Sequence, residues 1–195
     1  MELVDVLRGR IVSGAIAPDE AVKQDALAAA LGVSKIPLRE ALCRLEQDGL
    51  VRAVANRGFF VAAMTRADAD EIFALRLKLE PGVAARAATR ANEAERQLAQ
   101  ALARREESVE KNRLFHLALI KPSGLALTVG IVEKLQILAE RYVRKHLEPA
   151  GRRARARREH AALLDAWLNR DGAGVAKLTR RHIAETLKDL KAQLG

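Results

Sequence analysis

The chain holds four histidines, His116, His146, His160 and His182, and three of them fall at spacings that suit a metal centre. Asn112 and His116 are one helical turn apart, so both project from one helix face. His160 and His182 flank the stretch NRDGAG, residues 169–174, each eleven residues from Asp171. In an antiparallel helical hairpin that symmetry sets them at equal height, provided their rotational phase agrees. Three imidazoles with one oxygen ligand suit a divalent transition ion and leave positions open for an exogenous group. An open site of that kind also suits water activation, which makes a metal-dependent hydrolase one reading of the cluster, though no general base stands beside it in the sequence. The plain alternative is that each histidine is a partly buried, hydrogen-bonded member of an Ala/Leu-rich helix, and spacing alone does not decide. His146 fits no ligand pattern. It lies near a helix C-terminus, where a partly cationic imidazole is favourable, and reads as structural. Trp167, in LLDAWLNR, reads as packing.

A second chemistry is suggested by LGVSKIPLREALCRLEQDGLV, residues 31–51. Gly32 permits a sharp turn, Ser34 is a good N-cap, and Pro37 falls in the first helical turn, where a missing N–H costs little. Leu38, Ala41, Leu42 and Leu45 share one face, which leaves Lys35, Arg39 and Arg44 on others. Ala28, Gly32 and Leu38 sit at the offsets by which a helix-turn-helix packs its two helices. The N-terminal end of such a second helix enters the major groove, where cationic side chains meet guanine edges or phosphates and the helix end itself favours phosphate. The alternative is an ordinary helical hairpin with solvated basic residues. Residues 50–63 shift the balance: LVRAV and FFVAA are β-prone runs separated by ANRG, whose Asn and Gly suit a tight hairpin. A two-stranded wing of that kind lies against a minor groove. The candidate DNA contacts are therefore Ser34, Lys35, Pro37, Arg39 and Arg44 on the helix and Asn56, Arg57 and Gly58 at the wing tip.

The elements that would position these groups divide at about residue 65. Residues 1–65 read as a winged helix-turn-helix: a helix over 2–13 ended by Gly14, a connector AIAPDEAV, a helix over 24–31, the helix after Ser34 with Gly49 as its stop, and the hairpin. Thr65 with Asp68 resembles a capping box that opens a new helix. Residues 66–195 show no strand pattern and break near Asn92 and at KPSG (121–124), EPAG (148–151) and NRDGAG, which predicts an all-helical bundle of about six helices. The fold class is thus mainly α with one small β-hairpin. Composition agrees, with 49% hydrophobic residues, 3% aromatic, and one cysteine, Cys43, so no internal disulfide framework exists. No apolar run reaches membrane-spanning length and the N-terminus is not a signal peptide, so a cytoplasmic chain is expected. The formal charge of +9 suits a polyanionic partner. Yet residues 1–65 hold eight Lys and Arg against eight Asp and Glu, and the excess lies beyond them, densest in GRRARARREH. That run reads as a solvated face, so charge alone does not establish DNA binding.

The stretches IVSGAIAP and LAAALGVSKIPLREALCRLEQDGLVRAVANRGFFVA resemble the N-terminal domain of GntR-type bacterial transcription regulators. EIFALRLKLEPGVAARAA and NRLFHLAL resemble the FadR-like, FCD-type effector domain of the same family. The resemblance spans nearly the whole chain and implies a homodimeric, ligand-responsive regulator of double-stranded operator DNA. A repressor released by a small carboxylate metabolite is the form it suggests, and a regulator that senses the metal itself is the alternative. It implies a divalent metal, zinc or nickel, held by Asn112, His116, His160 and His182. It also places Arg76 toward the effector, where a carboxylate would pair with it, against the alternative of a salt bridge from Arg76 to Glu80. Two departures stand out. Lys35-Ile36 replaces the commoner Arg-Thr pair, and lysine lacks arginine's planar fork. Asn112 is neutral where an aspartate would bring charge. The stretch 92–111 is also shorter than the family's usual connection.

Overall fold

The computed structural model describes residues 2–104 and 108–194. The chain divides into two compact units, Met1–Thr65 and Arg66–Gly195. The first contains α1 (Leu3–Val12), α2 (Gln24–Leu31), α3 (Lys35–Gln47), β1 (Val51–Val54) and β2 (Gly58–Val61). Helix α2 ends where Gly32 turns left-handed at φ 64°, which brings α3 across it. The apolar face of α3 forms the heart of this unit: Leu38, Ala41, Leu42 and Leu45 are buried, against Leu7 and Ile11 of α1 and Leu27 and Ala28 of α2. Gly49, also left-handed at φ 77°, ends α3 and releases the chain into β1.

The two strands pair antiparallel in the register Val51 to Val61 and Val54 to Gly58. Val51, Phe59 and Val61 point into the core, while Arg52, Asn56 and Arg57 stay exposed. Asn56 takes φ 58° at the turn, a conformation that asparagine tolerates better than most residues. The connector after α1 is more than a link. Val22 N–H donates to the Phe59 carbonyl at 2.8 Å, Val61 N–H donates to the Glu20 carbonyl at 2.9 Å, and Ala21 bridges Phe60. Residues 19–22 thus line the free edge of β2 and hold the wing to its unit.

The second unit contains six helices among the described residues: α4 (Arg66–Arg90), α5 (Glu93–Ala103), α6 (Val109–Ile120), α7 (Ala126–Leu147), α8 (Arg152–Leu168) and α9 (Gly172–Leu194), with a short 3-10 turn at Lys121–Ser123. The chain is therefore mainly helical with one antiparallel hairpin. Helix α5 starts from a capping box in which the Asn92 side chain accepts from Glu95 N–H and the Glu95 carboxylate accepts from Asn92 N–H. Its end at Arg104 and the restart at Ser108, which caps α6 through Lys111 N–H, are a break that apolar periodicity does not predict. Helices α4, α6, α8 and α9 share a core of Val83, Ala84, Ala88, Phe115, Leu117, Leu163, Trp167 and Val175. Trp167 is fully buried and its indole N–H donates to the Leu119 carbonyl at 3.0 Å, which locks α8 to α6. The α8–α9 turn is made by Arg170 at φ 59°, and it folds the two helices back on each other.

Candidate metal centre and DNA-reading helix

The fold brings three histidines to one point. His116 comes from α6, His160 from α8 and His182 from α9, so the α8–α9 hairpin sets the last two at one height. Their ring centroids form a near-equilateral triangle with sides of 5.0, 5.1 and 4.9 Å. One nitrogen from each ring lies within 4.8 Å of the other two. The Nε2 atoms of His116 and His160 are buried without a hydrogen-bond partner among the described residues. A buried imidazole nitrogen left so is costly unless something accepts its lone pair, and a divalent transition ion is the group that three converging imidazoles suit best. The residues present fit a metal. Asn112, one turn before His116, lines a small cavity with His116 and His182 and a larger one with His160.

The electrostatics keep these rings able to ligate. Burial pushes His116 well below the ordinary histidine value, and the neighbouring charges of His160, His182 and Arg76 push the same way. Burial and then His182 hold His160 down at about 3. Both rings are therefore neutral at pH 7, with lone pairs available. Glu159 is a participant that the types and spacing of the candidate ligands do not include. Its carboxylate lies 2.6 Å from His182 Nδ1, which fixes the ring tautomer and turns Nε2 inward. Burial raises the Glu159 carboxyl, but its hydrogen bond with His182 and the charges of His182, Arg155 and Arg181 outweigh burial and leave it below the usual value. The anion so held supplies the negative charge that a neutral Asn112 does not. A signal for it exists in the sequence: the hairpin symmetry that opposes residue 160 to 182 also brings 159 there. Replacing Glu159 by Gln is expected to weaken zinc binding by about 10–100-fold, measured by competition with a chromophoric chelator.

His146 corrects an expectation. It does lie in the last turn of α7 and is buried, but it is not partly cationic. Burial, then Arg155, Arg152 and His182, push it down to about 4 against the opposing pull of Glu159. Its Nδ1 stands 3.5 Å from Asp189, whose carboxylate is already taken by Arg152 and Arg155. The Arg-rich run is thus divided between that buried carboxylate and solvent. In the unfolded chain these histidines titrate near 6.5, so on acidification the unfolded state takes up protons that the folded state refuses. Stability of the chelated protein is full above pH 6.5 and falls as the pH drops toward 4. For His160 alone the loss at pH 5 is about 2 kcal/mol, and a lower urea midpoint at pH 5 than at pH 7 is the expected result.

Arg76 lines the small cavity with His116, His146 and His182. Its guanidinium is engaged by Glu80, Nε to Oε1 at 2.5 Å, with both side chains buried. Gln136 donates to the second Glu80 oxygen at 3.3 Å. The i to i+4 ion pair is formed, and Arg76 does not present an unpaired cation to the cavity.

In the first unit, the tip of α3 is exposed rather than packed into that unit's core. Ser34, Lys35, Ile36, Pro37 and Arg39 are all exposed. Ser34 occupies the N-cap position in extended conformation, yet its hydroxyl makes no capping bond. Lys35 Nζ pairs with Asp25 at 2.7 Å, and Arg44 approaches Glu2 at 3.9 Å; both pairs are exposed and weak. Arg39 has no ion pair among the described residues. On the wing, Arg57 stacks over Phe60 with its guanidinium carbon 5.2 Å from the ring centre, and Arg52 lies at the same distance. Ile36, 73% exposed, is a large apolar side chain at a tip otherwise polar.

Comparison with known proteins agrees with this anatomy. Residues 1–61 match the gntR family of bacterial regulatory proteins, and residues 71–185 match the FCD domain. The HTH-type transcriptional repressor RspR of Escherichia coli is 25% identical over 97% of this chain and 88% of its own length. The HTH-type transcriptional regulator YdhC of Bacillus subtilis is 38% identical over a shorter stretch, 41% of this chain and 36% of that protein. Among solved structures, Escherichia coli McbR/YncC superposes with a TM-score of 0.82 at 22% identity, covering 98% of this chain and 96% of that one, a likeness of fold. The chain belongs to the GntR family, with an N-terminal helix-turn-helix domain and an FCD effector domain, and is a DNA-binding transcription regulator rather than an enzyme.

Proposed function

We propose that this regulator is a cytoplasmic, homodimeric repressor whose helical unit holds a divalent transition ion, zinc or nickel, and which leaves its operator when a small carboxylate metabolite binds beside that ion. The observation that carries the proposal is the convergence of three imidazole nitrogens within 4.8 Å, two of them buried without a partner among the described residues. His116, His160 and His182 are the assigned ligands, with Asn112 as the oxygen donor and Glu159 orienting His182. The ion would supply a cationic point beside which an anionic effector is held.

On the DNA side, α3 enters the major groove. Arg39 reads a guanine edge, Ser34 and Lys35 hold phosphate, Pro37 shapes the tip, and Arg44 contacts the backbone further along. Ile36 supplies an apolar contact of the kind that a thymine methyl group accepts. Asn56, Arg57 and Gly58 lie against the adjoining minor groove. Two copies present two such helices to a pseudo-palindromic site. The coupling this needs is modest, about 1–3 kcal/mol.

The test is operator affinity by fluorescence anisotropy on chelated protein, first with zinc added and then with a carboxylate panel at fixed zinc. Weakening by a carboxylate only when zinc is present supports the proposal. If zinc alone moves affinity and no acid does, the ion is itself the signal. Affinity that ignores both contradicts either form.

A further inference from the structure

The cavity beside Arg76 has about 20 Å³ of free space. That is room for about one water or an ion, not for an organic acid. A much larger cleft, lined by His160, opens between α5, α6 and α8, with about 300 Å³, at the lower end of the range for small-molecule sites. Its cationic lining is Arg104, Lys111 and Arg157, and no Asp or Glu lines it among the described residues. None of these three cations has an ion pair among the described residues, in contrast to Arg76, which Glu80 occupies, and to Arg152 and Arg155, which share Asp189. Phe115, Leu164 and Leu168 give the cleft apolar walls. Asn112 and His160 also line it.

Resting on the function proposed above, we infer that the effector is an organic acid with an apolar body, seated in the α5–α6–α8 cleft with its carboxylate among Arg104, Lys111 and Arg157, and not in the cavity beside Arg76. Three cations with no ion pair among the described residues, set around an apolar hollow, favour an anion over a neutral molecule of the same shape. The walls then select for an apolar body over a small polar dicarboxylate. Occupancy of this cleft touches the candidate metal centre through Asn112 and His160, the two residues the sites share.

The experiment is titration calorimetry on the full-length protein with benzoate, phthalate, octanoate and succinate, and with benzamide as the neutral counterpart of benzoate. Binding of at least one apolar-bodied acid, tighter than succinate and with no matching heat from benzamide, is expected. The double variant Lys111→Gln/Arg157→Gln should lose at least tenfold in that affinity. Leu164→Trp, which fills the cleft, should abolish it, while Val143→Leu, which narrows the small cavity, should leave it within twofold. Circular dichroism checks that each variant is folded, and Lys111→Gln/Arg157→Gln, being confined to partly or fully exposed side chains, keeps the test open should Leu164→Trp misfold. Acid binding that survives both cleft variants, binding lost in Val143→Leu alone, or no binding of any acid to the unsubstituted protein overturns the inference. Zinc content measured on the same samples separates the two proposals: acid binding that persists without zinc supports the cleft and counts against the metal centre alone.

Discussion

Arg39→Ala is expected to abolish sequence-selective operator binding while leaving the fold intact. Arg39 sits on the exposed face of α3, away from Leu38, Ala41, Leu42 and Leu45, which pack the unit. It has no ion pair among the described residues, so its truncation removes nothing that holds α3 in place. A good bidentate contact from arginine to guanine is worth about 1–3 kcal/mol against the wrong base. Two half-sites engaged by a dimer double that to about 2–6 kcal/mol, which is roughly 30-fold to more than 10,000-fold in affinity. The check is a selection from a random duplex library with the unsubstituted protein, followed by anisotropy titration of both proteins on the selected duplex. Lys35→Ala should behave differently. Lys35 is a point charge already paired with Asp25, so its loss should weaken binding uniformly across sequences and flatten the salt dependence. An Arg39→Ala protein that selects and binds the same duplex equally well removes Arg39 from the reading surface.

The second large effect is expected from His160→Ala. With one of three converging imidazoles gone, zinc affinity should fall by more than the roughly 10–100-fold assigned to the outer carboxylate Glu159. The purified variant should then carry little zinc by mass spectrometry. A control is built into the same cavity: His146 lines it beside His116 and His182 but lies outside the close triad, so His146→Ala should retain the metal. Thermal melting gives a second readout, because an ion that binds only the folded state stabilises it. Zinc at a hundred times its dissociation constant adds about 2.7 kcal/mol, roughly 5–10 °C for a chain of this size. His160→Ala should lose that increment, and His146→Ala should keep it.

What could be seen in the amino-acid order is what local chemistry determines. The ends of α2 and α3 were marked by Gly32 and Gly49 because both adopt positive φ, and the hairpin by Asn56 and Gly58 for the same reason. The inward face of α3 followed from a 3.6-residue period that tertiary packing then used unchanged. The approach of His160 to His182 was legible because a hairpin's symmetry is a sequence distance. Features that depend on long-range pairing were not. The edge pairing of residues 19–22 with β2 joins segments about 40 residues apart, and nothing in AIAPDEAV alternates as a strand does. The neutral state of His146 comes from burial beside Arg152 and Arg155, which helix-end reasoning alone does not contain. Arg76 offered two partners by type, a carboxylate ligand or Glu80, and only the buried geometry at 2.5 Å shows the second one made. The α5–α6–α8 cleft belongs to the same class, since its three cations come from separate helices or helix ends.

The most direct test of the metal assignment, on which the regulatory mechanism rests, is the X-ray absorption spectrum of the zinc-loaded protein at the metal edge. Three imidazole scatterers with the remaining positions filled by oxygen are expected, falling to two in His160→Ala. A coordination sphere of oxygen alone, or one unchanged by that substitution, contradicts the account.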